Sequence, residues 1–330
     1  GGGGDSESSA VTVGLSDALR GAEGALSFGC TVPTEQKHSI MAHERAEVHS
    51  VAHNSSGSMI LTGSDDRTVK LWDSRSGTKL SSLEGAVKAV MCVGFSPDGS
   101  LVLGASGDFA VRVWSLKTCR VLHTLTGHTG KIYTARFLPD SQGVLSSGYD
   151  RNLKLWDLHK GLVSKTMLCT SSCNDAAVSR DGGMITTVHL DNTIRFWDAR
   201  QGEFAHELSG AHTQPITSVL FHPINDRHIV TNARDDSLCL VDVRKYDVVT
   251  TLRHPNYKNG VNWNRATCSP DGVYVAAGGS DGTVYIWDLN KEQVVKTLGG
   301  SHRSAVVACS WGDNDQLATI EKEHRLVLWG

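Results

Sequence analysis

The sequence lacks several features that would point to common classes of protein. Its 330 residues contain no unbroken apolar run long enough to span a bilayer and no pattern typical of a signal peptide. Its eight cysteines include no CxxC pair and its histidines lack metal-ligand spacing, which favours buried free thiols and predicts no metal and no cofactor. The formal net charge of -3 provides no global basic field, which argues against nucleic acid as a partner and against direct membrane insertion.

What the sequence does contain is a repeated ending, in which an aspartate precedes a tryptophan by six residues. The ending is clearest at Asp150 and Trp156. It recurs at Asp66/Trp72, Asp108/Trp114, Asp191/Trp197 and Asp281/Trp287, with degenerate copies at Asp235/Val241 and Glu323/Trp329. A period of about 40–45 residues with this ending is typical of a WD-repeat β-propeller with four strands per blade. Seven copies therefore predict an all-β, seven-bladed propeller.

Polar residues at fixed spacings predict a hydrogen-bond network inside several blades. In four blades a histidine precedes the turn carboxylate by 21 to 23 residues: His43/Asp66, His128/Asp150, His212/Asp235 and His302/Glu323. A Ser or Thr on the second strand can link this histidine to the tryptophan indole, as at Trp72, Trp156 and Trp329, because buried Trp and Asp side chains need partners. The set repeats around the ring, which indicates a structural role. We therefore predict no catalytic residues and no enzyme activity.

The two ends of the sequence lead to different expectations. Residues 1–29 are rich in Gly, Ser and Ala, so we predict a flexible linker or trimmed N-terminus there and a propeller domain over residues 30–330. Trp329 belongs to the third strand of blade seven, which leaves that blade one strand short. We predict that residues 30–40 supply the missing outer strand and close the ring, because an unpaired sheet edge invites aggregation.

One face of the predicted ring combines tyrosine with basic residues. The residue before each turn carboxylate and the loop leading into each blade should lie near this face, and function usually lies on such loops. Tyr and Arg are prominent in interface energetics. The candidate partner-binding residues on blades three to five are Lys131, Tyr133, Tyr149, Arg151 and Arg234. A peptide with an acidic residue and an aromatic or aliphatic anchor is the ligand that this surface predicts.

An unusual stretch over residues 259–265 leads into blade six and adds an extra tryptophan, Trp263. Two interpretations are open. Trp263 either fills the gap left by the histidine that this blade lacks, or it lines a binding pocket, and we include it among the candidate partner-binding residues.

Five stretches of the sequence carry a resemblance to one family: 32–34 (VPT) before His43, 125–131 (LTGHTGK), 153–158 (LKLWDL), 171–175 (SSCND) and 263–278, which begins Trp-Asn-Arg. They resemble the C-terminal propeller of the autophagy-related protein 16 family, and the ending over 156–161 resembles plant-type members. The resemblance covers about residues 31 to 330. The Trp-Asp endings are common to all WD repeats, so the segments leading into blades four and six are the more specific signals.

The resemblance implies a non-catalytic protein-interaction scaffold. In that family an N-terminal region, absent from this chain, connects to the autophagy conjugation complex that directs lipidation of a ubiquitin-like protein at autophagic membranes. The propeller is expected to bind receptor or adaptor proteins, to be monomeric in isolation, and to be cytoplasmic with peripheral recruitment to autophagosomal or vacuolar membranes. The alternative is a WD-repeat adaptor of another assembly, such as a ubiquitin-ligase substrate receptor or a chromatin peptide reader.

Overall fold

The computed structural model describes residues 29–330, which form 28 strands arranged in seven four-stranded antiparallel sheets. The predicted linker, apart from Gly29, lies outside the described residues. Within residues 29–330 no helix has the length and apolar character needed to cross a membrane.

Each sheet is one blade, and six of the seven blades use four consecutive strands. The strand that precedes them all is β1 (Gln36–Met41). Blades one to three consist of β2 (Val48–His53), β3 (Met59–Ser64), β4 (Val69–Asp73), β5 (Lys79–Leu83), β6 (Val90–Phe95), β7 (Leu101–Ser106), β8 (Ala110–Ser115), β9 (Val121–Thr126), β10 (Ile132–Phe137), β11 (Gly143–Gly148), β12 (Asn152–Asp157) and β13 (Leu162–Leu168).

The remaining four blades follow in the same order. They consist of β14 (Cys173–Val178), β15 (Met184–His189), β16 (Ile194–Asp198), β17 (Glu203–Leu208), β18 (Ile216–Phe221), β19 (His228–Ala233), β20 (Ser237–Asp242), β21 (Asp247–Arg253), β22 (Thr267–Cys268), β23 (Tyr274–Gly278), β24 (Val284–Asp288), β25 (Gln293–Leu298), β26 (Val306–Trp311), β27 (Leu317–Glu321) and β28 (Arg325–Trp329).

The last blade is closed by the N-terminal strand, as predicted from the sequence. Its strand order is β1-β28-β27-β26, and β1 runs antiparallel to β28 with Ser39 opposite Val327 and Met41 opposite Arg325. Pairing the two ends of the propeller in this way covers the edge of β28 that would otherwise be open to other chains. The predicted seven-bladed, all-β ring is therefore confirmed.

The hydrophobic core is divided among the interfaces between neighbouring blades. Seven apolar clusters occur, and each combines residues of two adjacent blades. The cluster around Trp156, for example, contains Leu103 and Leu125 of blade two together with Ile132 of blade three. Because each blade buries its faces only against its neighbours, the ring has no plane along which it separates into two independent cores.

The turns between the second and third strands hold the repeated aspartates in place. The Asp150 carboxylate accepts a hydrogen bond from the Asn152 backbone N–H at 3.2 Å, and Asp66 and Asp191 accept the same bond from Thr68 and Thr193. The residue after each such aspartate has a positive φ: Arg67, Phe109, Arg151, Asn192, Asp236 and Gly282. Side-chain acceptors that bond the backbone two residues on are typical of tight turns and help to offset the cost of the left-handed residue.

Candidate protein-interaction site

Blade three contains the complete hydrogen-bond network that the sequence predicts. His128 Nδ1 lies 2.8 Å from Asp150 Oδ2, and His128 Nε2 lies 2.8 Å from the Ser146 hydroxyl, which also accepts the Trp156 indole N–H at 2.7 Å. Burial lowers the pKa of His128 although Asp150 opposes this shift, so the ring is neutral. With Asp150 ionised, Nδ1 donates and Nε2 accepts the serine proton, which satisfies all four groups. We call this set the tetrad.

Blade one repeats the whole tetrad, and blades five and seven repeat it with changes. In blade one His43 bonds both Asp66 and Thr62, and Thr62 accepts the Trp72 indole N–H at 2.9 Å. In blade five His212 bonds Asp235 and Thr231, while Val241 occupies the tryptophan position. In blade seven Thr319 links His302 to Trp329. Each network binds the loop leading into a blade to that blade's own sheet, which is the structural role that the sequence predicts.

The carboxylate of blade seven is Glu321, and the expectation of Glu323 was wrong. Glu321 Oε2 lies 3.5 Å from His302 Nδ1 and accepts the Arg303 backbone N–H at 2.7 Å, and only 1% of its surface is exposed. Glu323 is exposed. The longer glutamate side chain reaches the histidine from the end of β27, two residues before the turn position.

Blade four builds its network from a different histidine. No histidine occurs in the loop leading into the blade, and His189, at the end of β15, bonds Thr187 at 2.8 Å. Thr187 in turn accepts the Trp197 indole N–H at 2.9 Å. His189 and Glu321 both stand eight residues before the tryptophan of their blade. This position therefore supplies a substitute partner in blades four and seven.

Blades two and six satisfy or shield their tryptophans in other ways. In blade two Gly104 stands where the tetrad has Ser or Thr, and the Trp114 indole N–H donates to the Glu84 carbonyl at 2.9 Å. In blade six the aromatic ring of Tyr257 packs edge-on against Trp287, with ring centroids 5.0 Å apart. Tyr257 precedes Asp281 by 24 residues, close to the histidine spacing of the other blades.

We expect stability to fall in mild acid because His189 is buried in the neutral form. Burial, aided by the Arg195 guanidinium, lowers the pKa of His189 to about 4. Its pKa in the unfolded chain is near 6.5, so the unfolded state binds more protons as the pH falls below that value, and the stabilisation is lost progressively down to pH 4. Urea denaturation at pH 8 and pH 5 should reveal a loss of about 2 kcal/mol from this group.

The matched variants for this measurement are His189→Gln and His159→Gln. The first should reduce the difference between the two pH values by about 2 kcal/mol, and the second, at an exposed position, should leave it unchanged. An unchanged pH dependence in His189→Gln would contradict the assignment.

An apolar cavity of about 300 Å³ opens on the ring axis, and we call it the axial cavity. The second residue of four innermost strands lines it: His49, Met91, Tyr133 and Asn174. The turn and loop residues Asp65, Leu190, Lys131 and Trp263 complete its wall on the face that carries the turn aspartates. Concave, largely apolar sites with a few polar groups are the usual form of a ligand pocket.

The six candidate partner-binding residues are distributed over two depressions. Lys131, Tyr133 and Trp263 line the axial cavity, whereas Tyr149 and Arg151 line a separate depression of about 480 Å³ between blades three and four. Arg234 is exposed and donates to Asn262 Oδ1 at 3.1 Å, at the rim of the axial cavity. The candidates therefore share one face but not one pocket.

Trp263 lies in the wall of the axial cavity, away from the gap left by the absent histidine. Its ring packs edge-on against His49 at 5.9 Å, while Tyr257 occupies the position against Trp287. Trp263 therefore lines a pocket and Tyr257 takes the filling role, while partner binding by Trp263 stays a prediction. Sequence reasoning did not identify His49, Met91 or Asn174, although each shares with Tyr133 the second place in an innermost strand.

Three side chains beside the axial cavity could also serve as metal ligands. Glu47, His49 and Asp65 each place one ligand atom within 4.8 Å of the others. His49 Nε2 already lies 2.6 Å from Asp65 Oδ1, and the Lys322 ammonium lies 3.6 Å from Glu47. The hydrogen bond and the lysine charge account for these groups without an ion, so we interpret the trio as a polar rim.

The guanidinium of Arg265 closes the channel beneath the axial cavity. It donates to the Tyr133 carbonyl at 2.7 Å, lies 2.9 Å from Cys92 Sγ and lies 3.8 Å from Asp175 Oδ1. Burial opposes ionisation of the Cys92 thiol, but Arg265 and Arg136 outweigh it and lower the pKa of this thiol. A buried cation on the axis thus connects the innermost strands of several blades.

The fold and its repeating tetrads define the class of this protein as a seven-bladed WD-repeat propeller. A family model described as the IFT122 first beta-propeller matches residues 47–330, and the chain belongs to this family of WD-repeat propellers.

Three relatives share the sequence over nearly the whole chain. Protein tipD of Dictyostelium discoideum is 39% identical over 93% of this chain and 50% of its own length. Autophagy-related protein 16 of Arabidopsis thaliana is 37% identical over 91% of this chain and 58% of its own length. Protein Atg16l2 of Mus musculus is 36% identical over 90% of this chain and 47% of its own length. The resemblance to the propeller of autophagy-related protein 16 is confirmed, and the chain spans about half the length of these relatives.

Proposed function

We propose that this propeller is a non-catalytic scaffold that recruits partner proteins by binding a peptide segment in the axial cavity. The observation that carries the proposal is the composition of that cavity. Its apolar walls include Tyr133, Leu190 and Trp263, and the exposed Lys131 stands at its edge. An aromatic or aliphatic anchor fits the walls, and an adjacent acidic residue reaches the lysine.

The wider surface extends this recognition. Tyr149 is 62% exposed and shares the neighbouring depression with Arg151, while Arg234 stands at the opposite side of the cavity rim. These side chains provide contacts for residues that flank the anchor. Because the site is built on a ring of sheets, we expect little backbone change on binding.

Similarity to autophagy-related protein 16 supports a role in autophagy. In this proposal the propeller receives receptor or adaptor proteins, and the region that precedes it, joined through a linker over residues 1–29, connects to the autophagy conjugation complex. The isolated domain is monomeric and cytoplasmic, is recruited peripherally to autophagosomal or vacuolar membranes, and requires neither nucleic acid nor a cofactor.

We expect two substitutions in the axial cavity to weaken recruitment without unfolding the ring. Leu190→Asp places a charge in the apolar wall, and Lys131→Glu reverses the charge at its edge. Each should reduce partner capture from extracts of starved cells about tenfold, while the melting temperature stays near that of the wild type. The captured proteins are identified by mass spectrometry.

The matched control is Lys160→Glu, an exposed lysine on the turn that joins β12 to β13. It changes the net charge as Lys131→Glu does and should leave capture intact. Capture of autophagy receptors or adaptors that is lost only in the cavity variants supports the proposal. Capture of cullin adaptors or histones, or equal capture by all variants, contradicts it.

A further inference from the structure

The channel has a second and larger opening on the face opposite the axial cavity, and we call it the wide mouth. It encloses about 650 Å³ and is lined by residues at or near the ends of innermost strands, such as His53, Phe137 and Phe221. The axial cavity is lined by the starts of the same kind of strand. Because these strands all run in one direction through the ring, the two openings lie on opposite faces, with Arg265 between them.

The wide mouth combines apolar walls with arginine side chains. Phe137, Phe221, Pro97 and Pro139 provide the apolar surface, and three guanidinium groups line the same space: Arg136, Arg180 and Arg265. None of the described residues that line the wide mouth is acidic. Neighbouring turn carboxylates are engaged locally, since Asp98 accepts from Ser96 and Ser100 and Asp181 accepts from Ser179.

The charges at the base of this opening are incompletely matched. Asp175, which is 1% exposed, is the carboxylate shared by Arg136 at 3.4 Å and Arg265 at 3.8 Å. It also accepts from the Thr134 hydroxyl and the Val219 backbone N–H. Arg180 is exposed at the rim, and its guanidinium donates to the Pro223 carbonyl, which carries no charge. Even if Cys92 is counted as a thiolate, three guanidinium groups face two anions here, and Asp226, which accepts the Arg180 backbone N–H at 3.2 Å, does not line the opening.

Arg265 itself retains an unused donor. Arg265 is 7% exposed, and its Nε lies buried with no hydrogen-bond partner among the described residues. An unpaired donor on a buried cation is costly, and it leaves the base of the wide mouth short of hydrogen-bond acceptors. A guanidinium binds a carboxylate through two parallel hydrogen bonds, and this geometry is matched by few other groups.

We propose that the wide mouth is a second ligand site, which takes a peptide carrying an acidic side chain next to an aromatic or large aliphatic one. The carboxylate meets Arg136 and Arg180, and the apolar neighbour packs between Phe137 and Phe221. This site is separate from the axial cavity and does not depend on the function proposed for it. A scaffold with ligands on both faces of one rigid ring can hold two partners at once.

The experiment selects peptides from a random twelve-residue display library on the wild-type propeller and measures the affinity of the enriched, synthesised peptide by fluorescence polarisation. We expect enrichment of sequences that pair Asp or Glu with Phe, Tyr, Leu or Ile. Arg180→Glu should lower the affinity for the synthesised peptide at least tenfold, and Arg136→Gln should lower this affinity as well. Replacing the peptide's acid by its amide should have the same effect.

Two further variants locate the binding. Arg120→Glu makes the same charge change on an exposed turn away from the opening and should retain the peptide. Leu190→Asp alters the opposite cavity and should also retain it, so this site and the axial cavity are tested independently. If the Leu190→Asp variant no longer binds the peptide while the Arg180→Glu variant still binds it, the proposal is overturned. Displacement of the peptide by inorganic pyrophosphate at equal strength to an unlabelled peptide would also overturn it, because it would indicate a general anion site.

Discussion

Replacing Arg265 with methionine is expected to cost about 3–5 kcal/mol of stability, one of the two largest effects that we predict for a single substitution. The substitution removes a buried cation and leaves Asp175 with only Arg136 as a charged partner. It also deprives the Tyr133 carbonyl of its donor at 2.7 Å. Breaking a buried ion pair from one side is far more costly than removing both partners, because the remaining charge cannot be solvated.

Urea denaturation of three variants tests this expectation. Arg265→Met should show the full loss, and Arg265→Met combined with Asp175→Asn should recover part of it, since the uncompensated charge is then gone. Arg265→Lys keeps the charge but loses the planar guanidinium with its paired N–H donors. Its stability should lie between that of the wild type and that of the methionine variant. A double variant no more stable than Arg265→Met would disprove the charge account and leave packing as the cause.

Ser146→Ala in blade three is expected to cost about 2–6 kcal/mol, which is large for the loss of one hydroxyl. The Ser146 oxygen accepts the Trp156 indole N–H and bonds His128 Nε2, so its removal leaves two buried polar groups unpaired. Each such group costs about 1–3 kcal/mol. Blade two lacks this hydroxyl without penalty because Trp114 donates to the Glu84 carbonyl instead.

The neighbouring serine provides the control. Ser147 is equally buried, but its hydroxyl donates only to the Asn152 carbonyl at 2.9 Å. Ser147→Ala should therefore cost about 1 kcal/mol. Adding Trp156→Phe to each serine variant completes the comparison. Because Phe removes the indole donor, the added cost of Ser146→Ala should be smaller in the Phe background, whereas the added cost of Ser147→Ala should not change. Equal destabilisation by both serine substitutions would contradict the tetrad account.

The repeat pattern predicted most of the fold because its signals are local. Six residues separate Asp150 from Trp156, and this distance covers one turn and one strand, so the spacing directly encodes a hairpin. Seven such hairpins require seven blades, and the shortage of one strand at the end requires closure by the N-terminal residues. The histidine of a tetrad is also predictable, because the loop that carries it lies at a fixed distance before the turn.

The candidate binding site was less predictable because its residues come from distant parts of the sequence. Tyr133 and Trp263 are 130 residues apart and meet only when the ring closes. The sequence indicated the correct face for both, but it did not separate the axial cavity from the depression that holds Tyr149 and Arg151. His49 and Met91 belong to the cavity through their place in the innermost strands, and nothing in their residue types alone marks that place.

By itself the sequence determined the number of blades and the histidine-to-tryptophan links, since both follow from spacings within about 45 residues, and it determined the closing strand through the count of strands. Only the tertiary structure decided which side chains occupy the axis. Arg265, Cys92 and Asp175 come from blades six, two and four, and they meet because a closed ring brings the innermost strand of every blade to the same line. The same closure creates two openings of different chemistry, and these openings are where we expect partners to bind.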